Sequence, residues 1–288
     1  MTEERNVRPE IVHALAADAI DVQPAPSTAW QRLYGNGLVR KSVILGAIAI
    51  IWEIYARSLA NPLVFPTFSA TVAALLDGVL NGELPRAATY TISLLLKGYA
   101  AGLGFAALLT ALASVSRLGA DLLETLTAMF NPLPSIALLP LAMIWFGLGE
   151  ASIIFVLVHA VLWAVALNTF GGFRGLSPTW RMVGQNYGLH GPRYILLILI
   201  PGAFPSILTG LKVGWAFAWR TLVAAELVFG VSSGSGGLGW YIFEKKNQLF
   251  IPEVFAGLLT VIIFGLLIEN LVFKGIEQRT VRRWGMQH

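Results

Sequence analysis

Lys97, Lys212, Arg220, Glu226 and Glu269 all lie within long apolar stretches of the chain. If those stretches cross a bilayer, each charge is costly unless it meets a partner or lines a polar passage. Lys97 and Arg220 are the cations deep enough to line a translocation path, and Glu226 is the carboxylate that either could pair with instead. Three cations against two carboxylates leave the set slightly positive, which suits an anionic solute. The residues alone leave both readings open: a path for an anion, or ion pairs that lock helices together. Lys212 and Glu269 sit near the ends of their stretches, where a long side chain reaches the interface. Glu53 and Arg57 form an i,i+4 pair of structural character.

Other chemistries are poorly supplied. There is no cysteine, which excludes disulfide scaffolds, thiolate metal sites and thiol nucleophiles. His13, His159, His190 and His288 are far apart, and no pair has metal-ligand spacing. His159, with no carboxylate nearby in sequence, reads as a packing residue. Gly234, Gly236 and Gly239 match G-x-G-x-x-G, but they follow an apolar span and no βαβ unit surrounds them. Gly230, Ser232 and Gly234 match the spacing of a serine nucleophile elbow, yet the only histidine downstream is His288 at the terminus. These glycines read as a tight turn. No G-x-x-x-x-G-K-[ST] phosphate cradle occurs, so any ATP must be bound by another polypeptide. No catalytic residue, cofactor site or metal site is expected.

The elements that must position these residues are membrane helices. The chain has 288 residues, 56% apolar and 12% charged, against roughly a quarter charged in a soluble domain. Mean hydropathy is +0.69. A spanning helix needs about 20 mainly apolar residues, and six stretches qualify: 42–59, 87–115, 122–144, 153–170, 206–231 and 254–273. They are continuous rather than alternating, which excludes a barrel. Pro132, Pro134 and Pro140 predict that the third is broken or kinked. Gly98 and Gly102 predict a close helix crossing. Trp215 and Trp219 read as packing or interfacial anchors.

Charge placement orients the spans. With the N-terminus in the cytoplasm, Arg57, Arg86, Lys245 and Lys246 fall outside and thirteen other basic residues fall inside. The net charge of +4 is therefore topological and is no nucleic-acid footprint. The expected layout is a cytoplasmic tail over 1–41, with a short helix around 11–20, a membrane domain over 42–275 and a cytoplasmic tail over 276–288. The first 40 residues do not resemble a secretory signal.

The inside connection 171–205 is organised. Ser177 and Pro178 supply an N-cap and a proline at the first helical position. Trp180, Val183 and Tyr187 then form one apolar stripe, and Gly188 suits a left-handed helix end. Gly191-Pro192 starts a second helix over 193–200, delimited by Pro201 and Pro205. A short amphipathic helix, a turn and an apolar helix make a docking element.

Residues 182–201, MVGQNYGLHGPRYILLILIP, resemble the EAA loop of ABC importer permeases. Gly188, Ile198 and Pro201 fall at matching positions, while Met182, Val183 and Gly184 stand in place of Glu-Ala-Ala. NPLPSIALLPLAMIWFGLGE (131–150), TLVAAEL (221–227) and GLGW (237–240) resemble the nitrate/sulfonate/taurine/bicarbonate branch, and the likeness extends over 87–274. The resemblance implies an all-α, six-span type I importer permease that works as a homodimer in a bacterial inner membrane. It implies a cytoplasmic ATPase dimer as partner, with Trp180, Val183, Gly184, Tyr187, Gly188, Leu189 and Pro201 at the coupling contact. A solute-binding protein on the outside would deliver the solute. A secondary transporter is the rival reading, and it would often show inverted repeats, of which none is visible.

Overall fold

The computed structural model describes residues 35–229 and 236–281. The helix expected around 11–20, the 230–234 glycine spacing and His288 lie outside them. The described residues contain helices and no strand. The chain divides into two units, 1–51 and 52–288, with the boundary inside the first helix, α1 (Gly37–Leu59).

Within α1, residues up to Ile51 are almost all exposed, including Leu38, Val43, Ile44, Leu45, Ile48 and Ile50. In a soluble protein such a surface would aggregate; in lipid it is the expected one. In the second unit, the end of α1 carries Trp52. Its Nε1 donates to the Pro66 carbonyl at 2.9 Å, and its ring lies 5.6 Å from each of Phe65, Phe68 and Phe255.

Next come α2 (Phe68–Leu80), α3 (Glu83–Val115), α4 (Arg117–Phe130), α5 (Ser135–Phe146) and α6 (Glu150–Arg174). They are followed by α7 (Pro178–Asn186), α8 (Gly191–Gly202), α9 (Phe204–Phe229), α10 (Leu238–Asn247) and α11 (Ile251–Arg279). Among the described residues, α3, α6 and α11 are each long and apolar enough to cross a membrane unbroken. Two further candidates are bent pairs: α4 with α5 at 87°, and α8 with α9 at 80°.

The first bent pair sharpens the expectation for 122–144. A broken or kinked span is expected, and two half-helices at nearly a right angle are found. Pro134 immediately precedes α5, and Pro140 follows soon after within it, so prolines sit where the chain can turn without losing interior hydrogen bonds. In α8, Ile195–Leu199 is a π-helical segment. Pro201 has no N–H to return to the Leu197 carbonyl, and a widened turn absorbs the defect.

The centre of the second unit is α6, which packs against α3 on one side and α9 on the other. The α3 contact is the close crossing predicted from Gly98 and Gly102. A Cβ on Gly98 would come within 2.6 Å of Leu157, and one on Gly102 within 2.7 Å of Val161. Trp215 packs edge-on against Tyr99 at 5.3 Å and against Phe273 at 6.1 Å. A second cluster, around Leu84, Ala88, Leu238, Tyr241 and Ile242, joins α3 to α10. Burial, with Glu83 and Glu253 nearby, pushes the Tyr241 phenol up to about 12.

Candidate functional site

Three groups of side chains stand out, and the first is the loop after α6. Ser177 and Pro178 start α7 as predicted, although the Ser177 hydroxyl makes no capping bond. The far end closes as a Schellman motif. Gly188 has φ +64, Leu189 N–H donates to the Gly184 carbonyl at 2.9 Å, and Gly188 N–H donates to Gln185 at 2.9 Å. Only glycine takes that φ at little cost.

Two residues, Gly184 and Arg181, fix α7 to its neighbours. Gly184 is buried, and a Cβ there would come within 2.6 Å of the Tyr194 ring on α8. Arg181 donates to the carbonyls of Arg174 at 3.1 Å and Phe173 at 3.5 Å, a cation closing the C-terminal end of α6. Behind them, Phe173, Leu199 and Ala203 form a buried cluster with Tyr194 and Ile207, tying α6, α8 and α9 together. Arg174 also pairs with Glu124 on α4.

The predicted stripe is not buried by this chain. Trp180 is 42% exposed, Val183 38% and Tyr187 79%. Leu189 and Pro201 are half-buried, with Pro201 in the last turn of α8. The helix is held on one side and leaves apolar side chains exposed on the other.

The second group centres on Glu226, and here the sequence expectation needs correction. Glu226 pairs with neither Lys97 nor Arg220. It is 4% exposed and accepts hydrogen bonds from the Thr91 hydroxyl at 2.8 and 3.0 Å and from the Gly239 N–H at 2.9 Å. The Leu238 N–H donates to the Thr91 oxygen at 2.8 Å. A buried carboxylate thus meets the free N–H groups at the start of α10, where a negative charge is favoured. A Cβ on Gly237 would overlap the carboxylate, so the close approach requires glycine. Glu226 is a latch joining α3, α9 and α10.

Lys97 is likewise accounted for, by Glu150 at the first turn of α6, 2.7 Å away. Lys212 pairs with Glu277 at 2.6 Å, where simple snorkelling was expected. Glu53 accepts from Arg57 as predicted and also from the Ser69 backbone at 3.0 Å.

The third group surrounds Arg220, which lines a cleft of about 350 Å³ with Asn131, Ser135, Phe217, Thr221 and Ala224. His159 lies behind it, its Nδ1 3.2 Å from the Ser135 oxygen, its ring edge-on to Phe130 and Trp163. That is the packing role expected of it.

Sequence reasoning missed Thr91, Arg181 and Tyr194. Thr91 is 135 positions from its partner, and nothing local marks a hydroxyl as a carboxylate's donor. Arg181 was legible only as an inside charge.

A membrane core with broken helices and an organised loop with exposed apolar side chains fits a transport component. Residues 98–285 match the family described as binding-protein-dependent transport system inner membrane component, and the chain belongs to that family. It is similar to the taurine transport system permease protein of Escherichia coli, 27% identical over 244 residues, covering 82% of this chain and 87% of that protein. It is also similar to the nitrate import permease protein of Synechocystis, 28% identical over 247 residues (83% and 88%). The bicarbonate transport system permease protein of Synechococcus elongatus is 26% identical over 259 residues (87% and 92%). The chain is therefore a multi-pass inner-membrane permease subunit of an ABC importer, a transport protein rather than an enzyme, and ATP binds to a separate subunit.

Proposed function

We propose that the chain forms, with a second copy of itself, the translocation path for a small anionic solute such as nitrate, taurine or another sulfonate, bicarbonate or an organic acid. The relatives' names support the solute class, and Arg220 on α9, with no carboxylate partner among the described residues, supports the sign of its charge. Six crossings are assigned to α1, α3, the α4–α5 pair, α6, α9 and α11, within a membrane domain over 42–275. Both termini then face the cytoplasm, as the basic residues require. A solute-binding protein docks outside, an ATPase dimer binds beneath, and lipid surrounds the apolar faces.

The observation that carries the coupling role is α7 itself. Trp180, Val183 and Tyr187 are offered outward while Gly184 and Arg181 bolt the helix to α8 and α6. Closure of the ATPase dimer on ATP would pull this lever and re-orient the helices around the path. Switching a population from 1:99 to 99:1 takes about 5.5 kcal/mol, which a rigid, doubly anchored helix transmits and a loose loop would dissipate. The Tyr187→Ala/Trp180→Ala double variant tests the contact. It is expected to lower co-purification of the ATPase at least tenfold while leaving the permease's own melting temperature unchanged. Full retention of the ATPase would overturn the docking assignment.

A further inference from the structure

Of the three cations within the apolar helices, Lys97 and Lys212 each hold a carboxylate, whereas Arg220 has none among the described residues. A guanidinium at membrane depth needs a polar passage, a partner or a route to the interface. The route to the interface is not taken. Arg220 lies about 14 Å of helix from the nearer end of α9, by rise per residue. Its guanidinium carbon instead sits 5.7 Å from the centre of the Phe217 ring, one turn back toward the middle of α9. The side chain points inward along the helix, away from the closer interface.

Among mostly apolar neighbours, the same cleft gathers three polar residues, Asn131, Ser135 and Thr221, and it lies at the right-angled break between α4 and α5. Broken helices at membrane depth are tolerated where they line a cavity, and substrate sites gather at such breaks.

We propose that Arg220 and the α4–α5 break form the subsite that holds the oxyanion group of the solute as it crosses the membrane. The planar guanidinium fork matches two oxygens of a carboxylate, sulfonate, nitrate or bicarbonate. Asn131, Ser135 and Thr221 supply further donors, and the cleft admits a small anion with some of its water. This assignment rests on the importer reading and names the residue that selects the charge of the cargo.

The chain has no cysteine, so one introduced thiol reports the cleft without background from the permease. Ser135→Cys, or Ala224→Cys one turn beyond Arg220, is placed in the full chain, assembled with its ATPase and reconstituted in liposomes. The thiol is then modified with a sulfonatoethyl or a trimethylammonioethyl methanethiosulfonate, and the rate on the permease is read by mass. Adding Arg220→Gln is expected to lower the sulfonate-to-ammonium rate ratio roughly tenfold, whereas Arg220→Lys lowers it less. Nitrate or methanesulfonate at millimolar concentration is expected to slow labelling only when Arg220 is present. An unchanged ratio in Arg220→Gln, or no labelling of either cysteine by either reagent, would overturn the subsite. Loss of the importer reading shows differently, as failure of the unsubstituted assembly to couple ATP to uptake.

Discussion

At the scale of single residues, the buried latch is the most demanding chemistry in the molecule. Glu226 is enclosed, so its polar oxygens are tolerable only because Thr91 and the Gly239 N–H satisfy them. Thr91→Val would leave both the carboxylate and the Leu238 N–H short of a partner. The expected loss is about 2–4 kcal/mol, read as a lower melting temperature in detergent, with Thr91→Ser restoring most of it. An unaltered melting temperature in Thr91→Val would show that the latch carries no stability. The sequence made Glu226 conspicuous by its depth but could not name its partner. Charge alone pointed to Lys97 or Arg220, and the actual donors are a hydroxyl and a backbone amide, which no charge pattern reveals. The partner of Lys97 was hidden for a related reason: Glu150 lies on the next long helix and looks in sequence like a helix-start residue.

At the scale of elements, the loop after α6 was the most legible part, because its signals are local. Ser177-Pro178, the apolar stripe and Gly188 are each read within ten residues, and α7 forms where they place it. Gly188→Val puts a β-branched residue at φ +64, costing about 1–2 kcal/mol or more at that position. The expected result is an assembled complex whose ATPase still turns over but whose uptake falls severalfold. Gly184→Leu should be harsher, since the new side chain meets the Tyr194 ring; overpacking of this kind costs about 1–3 kcal/mol. There, reduced membrane yield of the permease is the expected measurement. Two elements went unread, α2 and α10. Both are short helices beside spans, where hydropathy sees only a loop. Even so, Thr67 caps α2 by accepting from the Ala70 N–H at 3.2 Å, a cue that the sequence does carry. The right angle between α4 and α5 was legible as a break but not as an angle, because prolines say where hydrogen bonds are lost and packing decides the direction.

At the scale of the whole molecule, the central bundle of α3, α6 and α9 joins all three groups: the lever at one end of α6, the latch between α3 and α9, and the Arg220 cleft on α9. A displacement of α7 therefore acts on α6 through Arg181 and on α9 through α8, the same helix that carries the cleft. Work done on α7 by a separate motor is expected to drive solute past Arg220. The most direct test is solute uptake into liposomes holding the permease with its ATPase and external binding protein, compared with the same assembly whose ATPase binds but cannot hydrolyse ATP. Uphill accumulation with the active ATPase, and none with the inactive one, is the predicted result. Accumulation against a gradient by the permease without any ATP hydrolysis would contradict it.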